Sequence, residues 1–239
     1  VDARNFFSGE QTLHGEYGRT VAPRLFMTAL HLAAVILAGW LLVGGGLDTV
    51  AIFEGTVWPE AVPARRWLLL ACILIYFLRV NVTTFYLLRR KMGWGEAALV
   101  GVWVMGIHAL YAYFGGTNPR DLGTAEAAAL ALYVAGSYLN TASEWQRKSW
   151  KDRPENKGQL YTRGLFRYAM HINYFGDELL FTGYALLTGV LWMLIIPALM
   201  LAGFVFINIP DLDKHLRQHY GAAFEEYAKR TRRFVPFVY

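Results

Sequence analysis

Runs of about twenty apolar residues recur along this chain, the length at which a helix spans a bilayer. Leu25–Leu47 and Trp67–Leu88 reach that length, and Ala97–Phe114 falls slightly short of it. Ala125–Leu139 becomes a span only when Asn140 and Thr141 extend it. The last apolar region, His171–Asn208, is too long for a single crossing. Thr188-Gly189 near its middle predicts a turn that divides it into two spans of about 19 residues each. The expected fold is all-α: a polytopic integral membrane helical bundle of about six transmembrane helices, or about seven if one is short or re-entrant. It forms a single domain over residues 1–239, with the last two spans as a tight hairpin.

Composition agrees. The 239 residues are 55% hydrophobic and 17% charged, with a mean hydropathy of +0.28. Trp (8), Tyr (14) and Phe (15) are plentiful, as suits rings at the headgroup layer. A net charge of +5 points to loops that meet anionic lipid or a phosphorylated cofactor, rather than to nucleic acid. The single cysteine, Cys72, excludes an intramolecular disulfide framework. No cleavable signal peptide is expected, because the first residues are polar and the first apolar run starts near Leu25.

Basic residues cluster at Arg89-Arg90-Lys91, in the 144–168 loop, and at Lys229-Arg230 and Arg232-Arg233. The loops at 46–66 and 115–124 are mixed or acidic. Six spans place every basic segment and both termini on one side, which the positive-inside rule makes cytoplasmic.

The stretch from Asn140 to Asp177 carries the chemistry. Seven Arg or Lys residues fall between 144 and 168, followed by the polar cluster His171, Asn173, Tyr174, Gly176 and Asp177 at the entrance of an apolar run. Asn140 and Glu144 are four apart at the end of span four, and Arg147 and Lys151 continue that helix face. Arg153-Pro154 ends the helix, because proline disfavours helical geometry in the residue before it. Asp177 and Glu178 alternatively read as anions capping a helix N-terminus. His171 has no second His or Cys at ligand spacing, so no metal site is expected.

In the second span Tyr76, Arg79, Asn81, Thr83 and Thr84 interrupt an apolar helix, with Tyr76 and Arg79 on one face. An ionised group at that depth belongs beside a partner or a wet cavity. His31 and His108, alone in spans one and three, read as hydrogen-bonded packing residues. Asp211–Lys229 reads as an amphipathic surface helix bearing Asp213, His215, Arg217, His219 and Tyr220. The chain has no G-x-G-x-x-G, P-loop or G-x-S-x-G motif, which argues against Rossmann-type cofactor binding.

These residues carry a resemblance. GLFRYAMHINYFGDELLFTGYALLTG resembles the C-terminal signature of the steroid 5-alpha-reductase family. QRKSWKDRP is similar to the basic, aromatic segment of the sterol C14-reductases, and YGAAFEEYAKRTRRFVPFVY matches the Tyr-rich tail of both groups. IYFLR at 75–79 resembles the Tyr-x-x-Arg of the 5-alpha-reductases. The isoprenylcysteine carboxyl methyltransferases are more distant members, usually with Arg-His-Pro where this chain has Met170-His171-Ile172.

The resemblance implies a membrane-embedded, NADPH-dependent reductase of a carbon–carbon double bond in a steroid, sterol or related lipid. Asn140, Glu144, Arg147 and Lys151 would contact the cofactor. Arg163, Arg167, His171, Asn173, Tyr174 and Tyr220 would complete its pocket, making 140–239 the cofactor-binding half. Tyr76 matches the tyrosine that orients the substrate carbonyl, so Tyr76, Arg79 and Asp177 are the candidate catalytic residues. A cation beside Tyr76 makes phenolate formation less costly. The chain lacks the family's usual first helix and has no glutamate in its first span, leaving Tyr76, His31 and Glu60 as candidate proton donors. The alternative is a methyltransferase using S-adenosylmethionine on a lipid. That cofactor has no phosphate to account for seven basic residues in one loop, and carboxylates and aromatics would serve it better. A non-catalytic transporter or sensor is a third reading, but the inverted repeats and broken helices of many transporters are absent from the sequence.

Overall fold

The computed structural model describes residues 20–57 and 62–239. Among them the regular structure is helical, with one isolated parallel bridge between Ala169 and Arg232. Helix α1 is Val21–Val43, α2 Gly46–Glu54, α3 Pro63–Val82, α4 Trp94–Gly116 and α5 Thr124–Lys151. Helix α6 is Ile172–Leu187, α7 Ile195–Gly203, α8 Ile209–Tyr220 and α9 Ala222–Arg230.

Local chemistry sets most of these boundaries. Proline at the first turn opens α3, where its missing N–H has no intrahelical partner to lose. α5 stops at Lys151, just ahead of Arg153-Pro154, as the sequence requires. α6 ends at Leu187, and Gly189 (φ 69°) makes the expected turn between the two halves of the last apolar region. The first helix runs Val21–Val43 rather than Leu25–Leu47, because Gly44-Gly45-Gly46 interrupts it before Leu47. The tail is two helices rather than one: Gly221 (φ 51°) separates α8 from α9.

Four helical segments among the described residues are long and apolar enough to cross a membrane: Val21–Val43, Pro63–Leu87, Trp94–Gly116 and Leu191–Tyr220. The count of about six is therefore not reached. α5 is apolar only in its first half, since Glu144, Gln146, Arg147, Lys148, Ser149 and Lys151 make its end polar, and α6 has just 16 residues.

The chain forms two compact units. The first comprises the described residues up to Ala127 together with Tyr184–Met193, with α1 packed along α3 and α4. Its core includes Ala34, Ala38, Leu42, Leu69, Ile73 and Ile107. Two wholly buried arginines close helix ends in this unit. Thr83 and the following residues widen α3 into a π turn, in which Leu88 N–H reaches back to the Thr83 carbonyl at 2.8 Å. Arg24 takes up the carbonyls around that turn, donating to Thr84 O (2.7 Å), Leu88 O (3.1 Å) and Arg90 O (2.8 Å). Arg65 donates to Leu187 O at the end of α6 (2.7 Å), to Arg120 O (2.9 Å) and to Glu126 Oε1 (3.0 Å). Carbonyls at a helix C-terminus lack intrahelical partners and favour a cation, so each arginine is paired without leaving the protein interior.

The second unit comprises Ala128–Gly183 and Leu194–Tyr239. Here α5 and α6 meet backbone to backbone. A Cβ on Gly136 would fall 2.3 Å from Leu180 N and 2.4 Å from Gly176 O, and one on Gly176 would fall 2.5 Å from Asn140 N. Only glycine admits this approach, in which packing of small residues replaces a hydrophobic drive between helices.

A methyl group at Gly136 should force the two helices apart. Gly136→Ala is expected to lose about 1–3 kcal/mol. That lowers the melting temperature by roughly 2–4 °C per kcal/mol when unfolding is followed by tryptophan fluorescence in detergent. Gly106→Ala, where an added Cβ meets nothing within 4 Å, should leave it unchanged or slightly raised.

Candidate functional site

The close contact of α5 with α6 sets a polar cluster at the end of the glycine seam. Asn140 Nδ2 donates to Asn173 O (3.1 Å) and to Asp177 Oδ2 (2.9 Å), and Ser143 Oγ donates to Asn140 O (2.9 Å). Asp177 and Glu178 are the sixth and seventh residues of α6, beyond its first turn, so they are not capping anions. Ser137 Oγ, Thr141 Oγ1 and Glu178 Oε2 lie buried around this cluster with no hydrogen-bond partner in the protein. The sequence reading passed over Ser137 and Thr141. Their spacing with Asn140 and Glu144 on one face of α5 was the available signal.

The basic stretch follows from the same helix. Arg147 pairs with Glu144 one turn earlier, and its guanidinium lies 5.6 Å from the centre of the Phe166 ring. Lys151 Nζ donates to Tyr220 Oη (2.6 Å) and to Gln159 O (2.7 Å), joining two expected site residues 69 positions apart. Arg163 and Arg167 are exposed on either side of a single 3-10 turn, Gly164–Arg167. Arg167 bonds the neighbouring Tyr168 hydroxyl. Beneath that turn Tyr227 Oη donates to Phe166 O at 2.6 Å, and burial pushes the phenol's pKa up.

His171 is held rather than free. Its Nε2 lies 2.7 Å from Asp213 Oδ1, while Asp213 Oδ2 accepts from Arg233 Nε at 2.8 Å. Met170 N–H and His171 N–H donate to Arg232 O (2.7 Å) and Arg233 O (3.1 Å), tying the head of α6 to the tail. Tyr174 stacks between His171 and Phe204, at 6.0 and 4.9 Å with interplanar angles of 14° and 9°. Asp213 is thus an internal anchor, a role that the amphipathic reading of the tail missed. Nothing local distinguishes it from the exposed Asp211 two residues earlier.

The other expected residues lie in the first unit. Tyr76 is buried, and the Arg79 guanidinium lies 5.1 Å from the centre of its ring, as their common helix face implied. The neighbouring polar residues serve the bundle: Asn81 bonds Phe77 O (2.8 Å) and Thr28 (3.0 Å), and Thr83 bonds Arg79 O (3.1 Å). Of the three candidate catalytic residues, Asp177 belongs instead to the second unit, beside Asn140. His31 and His108 are not isolated, since both rings meet Tyr76. Glu60 lies outside the described residues.

Removing the Asp213 carboxylate leaves both His171 and Arg233 without their partner. Asp213→Ala should cost about 2–3 kcal/mol in thermal or denaturant unfolding. Breaking the exposed Arg217–Glu225 pair by Arg217→Ala should cost no more than about 1 kcal/mol.

The model of the family described as "Protein of unknown function (DUF1295)" matches residues 97–231, a segment that contains the whole Asn140–Asp177 stretch and Tyr220. The chain is 30% identical over 156 residues to the Delta(14)-sterol reductase erg24 of Schizosaccharomyces pombe, covering 58% of this chain and 36% of that protein. It is 30% identical over 135 residues to the 3-oxo-5-alpha-steroid 4-dehydrogenase 1 of Macaca fascicularis (55% and 46% covered). To the 3-oxo-5-alpha-steroid 4-dehydrogenase 2 of Homo sapiens it is 29% identical over 108 residues (45% and 41% covered). The chain thus spans less than half the length of each of these relatives. With more than half of its residues under the family match, and with these relatives, the chain belongs to the DUF1295 family of the steroid 5-alpha-reductase superfamily.

Proposed function

We propose that the protein is a membrane-embedded, NADPH-dependent reductase of a carbon–carbon double bond in a steroid, sterol or related lipid. The observation that carries this reading is the Asn140–Asp177 contact in the second half of α5, whose last turns then present Arg147 and Lys151. A buried amide bonded to a half-buried carboxylate suits the neutral, hydrogen-bonding parts of a dinucleotide. The cations that follow suit its phosphates.

The residues present fit such a cofactor. Arg163 and Arg167 are exposed, and Ser137, Thr141 and Glu178 keep buried oxygens without a partner in the protein. Asn140, Glu144, Asn173, Tyr174 and His171 would hold the end nearer the membrane. Arg147, Lys151, Arg163, Arg167 and Tyr220 would hold the phosphates. The nicotinamide supplies a hydride when bound, while the protein's part is orientation and electrostatics. Tyr76 is the proton donor in this reading, with Arg79 as its electrostatic partner. The relatives, a sterol reductase and two steroid dehydrogenases, support the substrate class.

The membrane topology follows from the same reading. The apolar first half of α5 and the short α6 act as two further crossings, sealed to one another by their glycine contact, to make six. The basic segments at 89–91, 144–168 and 229–233, the cofactor side and both ends of this sequence then face the cytoplasm.

Thermal stabilisation of the detergent-purified protein by NADPH, NADH and S-adenosylmethionine, compared side by side, tests the cofactor. A ligand that binds only the folded state raises its melting temperature. NADPH should give the largest shift, whereas a shift with S-adenosylmethionine alone makes the protein a methyltransferase. Asn173→Ala should weaken NADPH binding at least about tenfold, a loss of about 1.4 kcal/mol. Undiminished affinity in a well-folded variant would remove Asn173 from the site. Tyr76→Phe should lower turnover about 10²–10⁴-fold with NADPH affinity unchanged, as for loss of a general acid; full activity would exclude Tyr76 from that role.

A further inference from the structure

Outside every helix long enough to cross a bilayer, the tail of the second unit turns an apolar tip outward. Phe237 is 78% exposed, Val238 73% and Tyr239 48%. The tip is folded back on itself. Phe234 N–H and Val235 N–H both donate to Tyr239 O at 2.6 Å, and Tyr239 N–H donates to Val235 O at 3.1 Å. The Phe237 ring rests against Tyr168 at 5.8 Å, and Arg233 Nη1 donates to Tyr239 Oη at 3.2 Å. Phe237 has φ 66°, the one non-glycine residue at positive φ among the described residues. A bulky residue is an outlier there, and the conformation persists only where its surroundings impose it. This turn therefore fixes contiguous apolar side chains in an exposed position, which marks an interaction surface.

Neighbouring contacts set the level of the tip. Phe234 is buried and meets Phe175, near the head of α6, at 5.8 Å and Phe204 at 6.5 Å. Phe204 belongs to the apolar segment Leu191–Tyr220, about two helical turns before that segment becomes polar at Asp211. The tail is thus docked where apolar helix surface gives way to polar, the level of a headgroup layer. Its charge suits that layer when the lipid is anionic. Residues 227–239 hold four cations and no carboxylate side chain. Arg230 pairs with Glu226 and Arg233 with Asp213, whereas Lys229 and Arg232 are exposed.

We propose that Phe237, Val238 and Tyr239 insert into the headgroup layer of anionic phospholipid, while Lys229 and Arg232 bond the lipid phosphates. Aromatic rings favour that layer, and Tyr brings an apolar body with a polar tip. Lys and Arg meet phosphate oxygens through charge-assisted hydrogen bonds. Neither part holds a segment firmly alone, but an apolar insertion beside a basic patch does. A cation close to an anionic surface strengthens the association about fivefold. The inference rests on the membrane setting of the fold and is independent of the chemistry proposed for the cofactor site.

The test places a nitroxide spin label at Val238→Cys in a Cys72→Ala background, with the full chain in nanodiscs of phosphatidylcholine alone or mixed with phosphatidylglycerol. Collisions of the label with oxygen, which partitions into lipid, are compared with those of neutral, water-soluble NiEDDA. In mixed discs oxygen should dominate, and the embedded-to-free ratio from the two spectral components should exceed that in plain discs at least about fivefold. Lys229→Gln with Arg232→Gln should remove that preference at about fivefold per cation. Phe237→Asn, which tolerates the positive φ but lacks the ring, should lower the ratio in both kinds of disc. A Val238 label as accessible to NiEDDA as one at the exposed Glu155→Cys in both discs overturns the proposal and leaves the tip to a protein partner. Equal embedding in plain and mixed discs also overturns it, as does a phosphatidylglycerol preference that survives loss of both cations. Should the variants fail to fold, the comparison of discs with the otherwise unaltered tail still decides. A label at the exposed Leu199→Cys on α7 separates the two possible failures. Oxygen contact there without it at Val238 rejects the anchor alone, and none at either position rejects the membrane setting.

Discussion

The contact of Gly136 with Gly176 is the constraint on which the candidate cofactor site depends. Two helix backbones can approach this closely only where neither carries a side chain at the crossing. That approach lets the Asn140 side chain bond both a backbone carbonyl and a carboxylate of α6. Ordinary side chains at the crossing would separate the helices and lengthen those hydrogen bonds beyond use. The same geometry explains why α5 can start as an apolar helix and end as a charged one. Its seam faces α6, while its last turns carry Arg147 and Lys151 toward Phe166 and Tyr220.

Charge is handled differently in the two units. In the first, Arg24 and Arg65 are fully enclosed and meet the carbonyls that helix ends leave unpaired. Such cations complete the fold, their terminal nitrogens turned to backbone carbonyls. In the second, Arg163 and Arg167 remain at the surface of a tight turn. Buried cations with several partners are structural, whereas exposed ones are available to an anionic ligand.

The residues bonded across long sequence separations had the weakest local signals. His171, Asp213 and Arg233 form one network, yet each sits in a different segment, and Asp213 shares an amphipathic pattern with solvent-facing neighbours. His31 and His108 each interrupt an apolar run singly, which reads as packing until both rings meet Tyr76. Patterns that repeat within a helix were easier to read. Tyr76 with Arg79, and Asn140 with Glu144, lie one turn apart, and the structure keeps each pair on one face.

Length and local breaker chemistry determined, from sequence alone, that the chain is helical and membrane-spanning, that α5 stops before Arg153-Pro154, and that a turn falls at Thr188-Gly189. These depend on one residue and its immediate neighbours, through proline's lost N–H and glycine's freedom at positive φ. Tertiary structure decided the rest. It set Asn140 against Asp177, joined His171, Asp213 and Arg233 into one network, and brought His31 and His108 to Tyr76. Those outcomes depend on which surfaces meet. A polar atom in a helix bundle is satisfied by whatever residue faces it across the interface, and sequence distance carries no information about that partner.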